Sequence, residues 1–448
     1  MLARMAWVGR TATEIAAAVR DGEANAADIV EEHLTALAGA EHLGAVVAVL
    51  GDEARADARA VDANMGKVAL PLAGVPVAIK DIVGVTGHPT RVGSRGTSEA
   101  PATADHLIVA RLRTAGAIPL ALTNVPELCI FGFTDGDGYV TRNPWNPDRT
   151  PGGSSGGSAA LVGAGVLPLA HASDGMGSVR IPAACCGLVG LKPASGLIPY
   201  GMDNDWRGLS QHGPLATTVA DLAVMLAVLA DEPALATVAP PAPLRIGIST
   251  KHPLKLPVAR HWKQAPVAAG AALAKLGHTV DDAGLTYPSW LGNALIGTWA
   301  AAVGDDVRAI VTDPSQLQPR SRRHAAFGRL AERLSLTDDK WRDRWKAKAF
   351  DYFVHHDVLL TPTLAQDPVP SVAWSERGWL ANVWASGRFA PMCAPWNYGD
   401  YPAMAVPLPG RTPSGTPLSV QLVARDVPTL LGLAGQLEQA LPWQRTAG

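Results

Sequence analysis

The sequence predicts an α/β protein with a mixed, mostly parallel sheet sandwiched between helices. Two observations carry that expectation. Short apolar, β-branched runs alternate with segments whose apolar residues recur at helical spacing, the pattern of crossover units. The composition, 48% hydrophobic and 17% charged over 448 residues, also suffices to bury a substantial core. No repeat period or low-complexity linker divides the chain. One domain over residues 1–448 is therefore expected, with a core over about 65–225 and a variable helical region over about 251–390 packed on it.

Residues 11–38 carry Ile15, Val19, Ile29 and Leu34 at helical spacing, broken at Asp21-Gly22. This reads as two amphipathic helices joined by a turn, with Gly39 as the stop signal. Residues 75–79, after Gly74, suit a buried strand. Asp105, Leu107, Val109 and Leu112 mark a helix over 105–115 that ends at Gly116, and 117–122 is the next strand. The small apolar residues over 158–165 make a helix able to lie close on a sheet. Residues 166–170 form a strand leading into a Gly-rich turn. Further on, 221–229 reads as a helix, and 244–248, 358–362 and 419–423 as strands. Beyond Lys251 the character changes: charges rise over 320–348, and eight of the 13 tryptophans fall between Trp290 and Trp396.

A formal net charge of −2 gives no reason to expect nucleic acid or an anionic membrane as partner. The four cysteines, Cys185 and Cys186 adjacent among them, have neither zinc-ligand spacing nor disulfide density. They read as reduced thiols of a cytoplasmic protein. No apolar stretch follows Arg4 and Arg10, so no signal peptide is expected, and no run reaches the roughly 18 apolar residues of a spanning helix. A homodimer is compatible with all of this.

Chemistry concentrates in three places. Lys80 ends the run Val75-Pro76-Val77-Ala78-Ile79. A Gly/Ser turn reads Pro151-Gly152-Gly153-Ser154-Ser155-Gly156-Gly157-Ser158, and a second reads Asp174-Gly175-Met176-Gly177-Ser178-Val179-Arg180-Ile181-Pro182. A serine hydroxyl is a weak nucleophile until something removes its proton. A lysine can do so once burial depresses its pKa. Lys80, Ser154 and Ser178 thus supply an amine base, a proton relay and a nucleophile, with no histidine, metal or cofactor required. The plain alternative is an ordinary Lys80–Asp81 pair at a strand end.

Residues 72–221 resemble the core of the amidase signature family. The matching pieces are Leu72-Ala73-Gly74-Val75-Pro76 to Lys80-Asp81, Thr123-Asn124-Val125-Pro126-Glu127, Asn143-Pro144-Trp145 and the two serine turns. Gly187-Leu188-Val189-Gly190-Leu191-Lys192-Pro193 and Gly213-Pro214-Leu215 to Val219-Ala220-Asp221 also fit. The resemblance implies the amidase signature fold and hydrolysis of a carboxamide, through an acyl-enzyme, to a carboxylic acid and ammonia or an amine. It implies that Ser178 is the nucleophile, that Ser154 is the bridging serine after a cis peptide bond, and that Lys80 is the base. Ser155 would assist by hydrogen bonding near the lysine. Backbone N–H groups of Gly175, Met176 and Gly177 would line the oxyanion hole, and Asp174 and Arg180 would hold the loop. Met176 departs from the family pattern, which usually has glycine there, and its side chain is expected to wall an acyl pocket.

Other readings compete for the same residues. Gly153-Ser154-Ser155-Gly156-Gly157 also fits the nucleophile elbow of an α/β-hydrolase-type esterase, with Ser155 attacking and His355 or His356 as base. The proline-rich stretch 143–151 is a poor strand for that elbow, and Lys80 and Ser178 would be idle. An amidotransferase amidase subunit, releasing ammonia from glutamine for a partner, belongs to the same superfamily. Neither a docking surface nor a glutamine pocket can be located, and Ile181 stands where that subfamily tends to carry a polar residue. A silent scaffold is disfavoured by the intact Lys80, Ser154 and Ser178, and Cys185-Cys186 read as small core residues rather than nucleophiles. Trp374, Trp384 and Trp396 are candidates for an apolar acyl wall. Arg180 is the one conspicuous cation near the turns, so a small-molecule substrate that is neutral and moderately hydrophobic is expected.

Overall fold

The computed structural model describes residues 7–64, 66, 70–202, 204–282 and 284–447, so Arg4 and the first position of the expected core, Met65, lie outside the described residues. In chain order the strands are β1 (Val46–Val49), β2 (Pro76–Lys80), β3 (Ile118–Thr123), β4 (Asp135–Gly136), β5 (Tyr139–Val140), β6 (Leu169–Asp174), β7 (Val189–Lys192), β8 (Gln211–Ala216), β9 (Arg245–Ile248), β10 (Thr279–Asp282), β11 (Val358–Pro362), β12 (Ala403–Arg411) and β13 (Pro417–Ala424). Among the described residues β4 and β5 pair as a separate ribbon, and the other strands form one 11-stranded sheet in the order β1-β3-β2-β6-β8-β7-β12-β13-β11-β9-β10.

The sheet is mixed and flanked by helices, as the sequence predicts. Its parallel pairings fall in two blocks, β3-β2-β6 and β11-β9-β10. Antiparallel ladders join these blocks through β8, β7, β12 and β13, and a further one adds β1 at the edge. The antiparallel centre follows from its connections: β12 turns into β13 over residues 412–416, a hairpin that leaves no room for a crossover helix.

β2 and β3 are buried along their whole length, which suits Pro-Val-Ala-Ile-Lys and Ile-Pro-Leu-Ala-Leu-Thr as central parallel strands. Helix Leu107–Thr114 makes the crossover between them, and helix Gly156–Gly163 precedes β6. The latter is buried throughout and built of Gly, Ser, Ala, Leu and Val, so it lies tight against the sheet. Helices Ala12–Arg20 and Ala26–Gly39 confirm the expected N-terminal pair, the first closed by a capping box between Thr11 and Glu14. The strand expected over 166–170 begins later, at Leu169, because Gly165 adopts φ +75° and turns the chain first. The shift carries Ser173 and Asp174 onto the strand end.

Residues 251–390 supply the helices Arg260–Lys275, Ser289–Ile310, Pro319–Arg333, Asp339–His355 and Trp379–Phe389, but they also contribute β10 and β11 to the common sheet. The long helices enclose a second, aromatic-rich core in which Trp299, Trp345, Trp396, Phe353 and Tyr398 pack together. No helix of the described residues is long and apolar enough to cross a membrane.

Candidate active site

The C-terminal ends of β2 and β6 bring Lys80 and Ser173 side by side, and the first serine turn lies across both. Lys80 is fully buried, and its Nζ lies 2.8 Å from Ser154 Oγ, 2.8 Å from Ser173 Oγ and 3.3 Å from the Ser173 carbonyl oxygen. Asp81 is not its partner: the Asp81 carboxylate accepts from the Arg91 backbone N–H at 3.1 Å, and burial pushes its pKa up to about 6. Burial pushes the Lys80 amine below its ordinary value, against the opposing influence of Cys129 and Asp174. The expected Lys80–Asp81 alternative is thereby excluded, because the carboxylate turns to its own loop.

The Gly153–Ser154 peptide bond is cis, as the resemblance implies. Glycine is required at 153 on simple steric grounds: a Cβ there would stand 2.7 Å from Phe133 N and 2.8 Å from Phe131 O, both backbone atoms. Ser155 ties the two turns together. Its N–H donates to the Ser178 carbonyl oxygen at 3.3 Å, and its Oγ donates to the Ser173 carbonyl oxygen at 3.3 Å, the same oxygen that Lys80 approaches. Ser155 is wholly buried and lines neither cavity described below.

The second turn is fixed by a buried ion pair. Arg180 Nε and Nη2 reach the Asp174 carboxylate at 3.0 and 2.9 Å, while its remaining donors reach Cys393 O, Gln421 Oε1 and Asn397 Oδ1 at 3.0, 2.7 and 2.6 Å. Burial alone would raise the Asp174 pKa, but the Arg180 charge and hydrogen bonds outweigh it and hold the carboxyl well below the usual range. Asp174 in turn accepts from the N–H of Gly177 at 2.6 Å and of Val179 at 3.1 Å. This corrects one expectation: the Gly177 N–H serves the loop and is not open to an oxyanion. Gly177 itself adopts φ +117°, and a Cβ there would stand 2.6 Å from Cys393 Cβ. At Gly175 a Cβ would meet the Trp206 ring at 2.7 Å, so that indole lies directly on the turn.

Ser178, 8% exposed, sits where two cavities meet. One, of about 590 Å³, is lined by Ser154, Ser173, Cys129, Asn204, Trp206 and Asp306 among others. The other, of about 340 Å³, is apolar, with Phe131, Met176, Ile181, Trp299, Val383 and Trp384 in its wall. Met176 therefore stands where an acyl-pocket wall was expected. Of the three tryptophans singled out, Trp384 lines the apolar cavity and is 59% exposed, whereas Trp396 is buried in the aromatic core and Trp374 packs on Phe133 with ring centroids 4.8 Å apart. Their places are taken by Trp299 and Trp206.

Ser173, Cys129, Asn397 and Asp306 were not foreseen. Cys129 lines the polar cavity beside Lys80 and Ser154, in a left-handed conformation shared with Leu128 (φ +56° and +50°). Asn397 bonds both the Asp174 carbonyl at 2.8 Å and its carboxylate at 2.9 Å. No local motif marks these residues; only the folded chain collects them. The histidine-based elbow does not assemble: His356 stacks on Tyr352 and reaches Asp281 at 2.9 Å, and neither His355 nor His356 lines either cavity. Cys185 and Cys186 are buried, and burial raises both thiols well above their ordinary range. Among the described residues no group of three His, Cys, Asp or Glu side chains could hold a metal ion.

The profile of the family described as Amidase matches residues 28–428. The putative amidase AmiB2 of Mycobacterium tuberculosis is 40% identical over 441 residues, covering 94% of each chain. The 6-aminohexanoate-cyclic-dimer hydrolase of a Pseudomonas species is 32% identical over 488 residues, covering 96% of this chain and 95% of that one. A solved bacterial aryl acylamidase of the amidase signature enzymes superposes with a TM-score of 0.86 at 25% identity, covering 98% of this chain and 97% of the other.

Proposed function

The chain belongs to the amidase signature family and is an amide-bond hydrolase; on that premise we propose that it cleaves carboxamides through an acyl-enzyme on Ser178, with Lys80 as base and Ser154 as relay. The observation that carries this reading is the buried Lys80 amine, 2.8 Å from Ser154 Oγ and without a carboxylate partner. A neutral amine has two N–H donors and one lone pair. The Ser173 oxygens can take the donors, which leaves the lone pair for the Ser154 hydroxyl proton.

Ser154 then draws the proton from Ser178 as its Oγ attacks the carbonyl carbon. The developing oxyanion is met by N–H groups of the second turn, those of Gly175, Met176 and Ser178 being the ones that Asp174 does not claim. The relay runs backwards to protonate the departing nitrogen. Water, deprotonated by the same pair, releases the carboxylic acid. Asp174, Arg180 and Asn397 keep the turn in place and take no part in proton transfer.

The acyl group lies in the apolar cavity beside Met176, which supports a moderately hydrophobic acyl half. An amidotransferase role is not favoured, because the relatives matching nearly the whole chain are named as amidases and an amide hydrolase. The deciding experiment is turnover of simple aliphatic and aromatic carboxamides by the purified chain with no partner and no ATP. Release of carboxylic acid supports the autonomous amidase; dependence on an added partner would overturn it.

A further inference from the structure

The larger cavity contains a carboxyl that the mechanism above does not use. Asp306 projects from helix Ser289–Ile310 and is buried, yet it lines the cavity that holds Ser154 and Ser178. Its oxygens accept from Trp206 Nε1 and Asn204 Nδ2, each at 2.6 Å. Trp206 is also the ring that lies on Gly175, so Asp306 stands one indole away from the serine turn.

No cation answers this carboxylate. The neighbouring Asp305 takes the arginines of the region, Arg207 at 2.6 Å and Arg308, and Glu332 takes the other end of Arg207. No arginine or lysine lines the cavity among the described residues, and Asp306 is its only carboxyl. Burial without a partner pushes the Asp306 pKa up to about 7, the mark of a group held short of its counter-charge.

The relay decides which half of the substrate meets Asp306. If Ser154 returns the proton to the departing nitrogen, that nitrogen lies within hydrogen-bond reach of Ser154. Ser154 lines the polar cavity and not the apolar one. The amine half therefore extends into the polar cavity and the acyl half into the apolar one. We propose that the leaving amine of the preferred substrate carries a second, positively charged amino group, seated in the polar cavity against Asp306. The substrate class is then a diamine acylated at one end, or another amide whose amine half bears an ammonium. Hydrolysis adds water across the amide and leaves a carboxylic acid and the free diamine. This narrows the sequence-based expectation of a wholly neutral substrate, and it rests on the Lys80–Ser154 relay.

The test compares N-butanoylcadaverine with N-pentylbutanamide, which share an acyl group and differ in the terminal ammonium. The wild-type kcat/KM ratio should favour the ammonium by roughly tenfold or more, the scale of a charge-assisted hydrogen bond in a buried site. Asp306→Asn should bring the ratio near one, while Asp305→Asn leaves it as in the wild type. Free cadaverine should also inhibit hydrolysis of the neutral amide at least tenfold more strongly than pentylamine, a comparison that needs no variant. A wild-type ratio near one, a preference that survives Asp306→Asn, or equal inhibition by the two amines would overturn the proposal. Turnover of the neutral amide by Lys80→Met tests the relay separately. A flat ratio with Lys80→Met inactive condemns Asp306 alone, whereas an active Lys80→Met condemns the relay beneath it.

Discussion

Replacing Lys80 by methionine removes the amine while nearly preserving the stem that fills the end of β2. In the native site Nζ meets three oxygens, at 2.8, 2.8 and 3.3 Å, and no carboxylate. Methionine answers none of them, so Ser154 loses its proton acceptor. General-base assistance is worth about a hundred- to ten-thousand-fold, or roughly 3–5 kcal/mol of barrier, and kcat/KM for a simple amide should fall by that much. Lys80→Arg should not restore it, because a guanidinium stays protonated at any working pH.

Two pH measurements accompany the rates. Burial depresses the Lys80 pKa, so the acid limb of kcat/KM should rise with pH through an ionisation below the model value of about 10.4. For stability the sign is the same. Between the depressed folded pKa and about 10.4 the unfolded chain binds more protons, so stability rises with pH across that window, by about 1.4 kcal/mol per unit of depression. Lys80→Met should abolish that dependence in urea titrations at several pH values. A Lys80→Met enzyme within tenfold of wild type, or one rescued by arginine, would refute the reasoning.

Met176→Gly should open the apolar cavity and raise rates on bulky acyl groups relative to acetyl, by the roughly 10- to 200-fold that a methylene or more of pocket space is worth; equal effects across an acyl series would place the side chain elsewhere. Arg180→Met strands the buried Asp174 charge and should cost about 3–5 kcal/mol in denaturant titrations, and Arg180→Lys should not compensate, since three donors cannot replace the five side-chain bonds of the guanidinium. Burial opposes ionisation of Asp174, but Arg180 outweighs it and depresses the folded pKa, so this stability is present above the unfolded value of about 3.9 and lost as pH falls through the folded one; Arg180→Met should flatten that acid loss.

The parts of the site that were legible in the sequence are those whose chemistry is local. Lys80 after a β-branched run, and serines among glycines no Cβ could replace, announce themselves by neighbours along the chain. So do the N-terminal helix pair and β2, β3 and β11, where periodicity or an apolar run decides the element. β8 and β12 were missed because Gln-His-Gly-Pro and a strand with Pro407 and Pro409 look like turns, and only pairing with β6, β7 and β13 makes them strands. The spread of tryptophans suggested an acyl wall, yet which ring faces a cavity depends on helix packing across the aromatic core. Trp299 and Trp206 were therefore passed over for Trp374 and Trp396. Ser173 depended on where β6 ends, and Asp306 and Asn397 come from segments far along the chain that nothing in the two serine turns names.

The central claim is that Ser178 carries the acyl group, and the direct measurement is the site of a covalent adduct. The enzyme is treated with a serine-reactive fluorophosphonate, digested, and the modified peptide sequenced by mass spectrometry. The account predicts one adduct, on Ser178, that is absent from Ser178→Ala and forms slowly in Lys80→Met. An adduct on Ser155, or labelling of Lys80→Met at the wild-type rate, would contradict it.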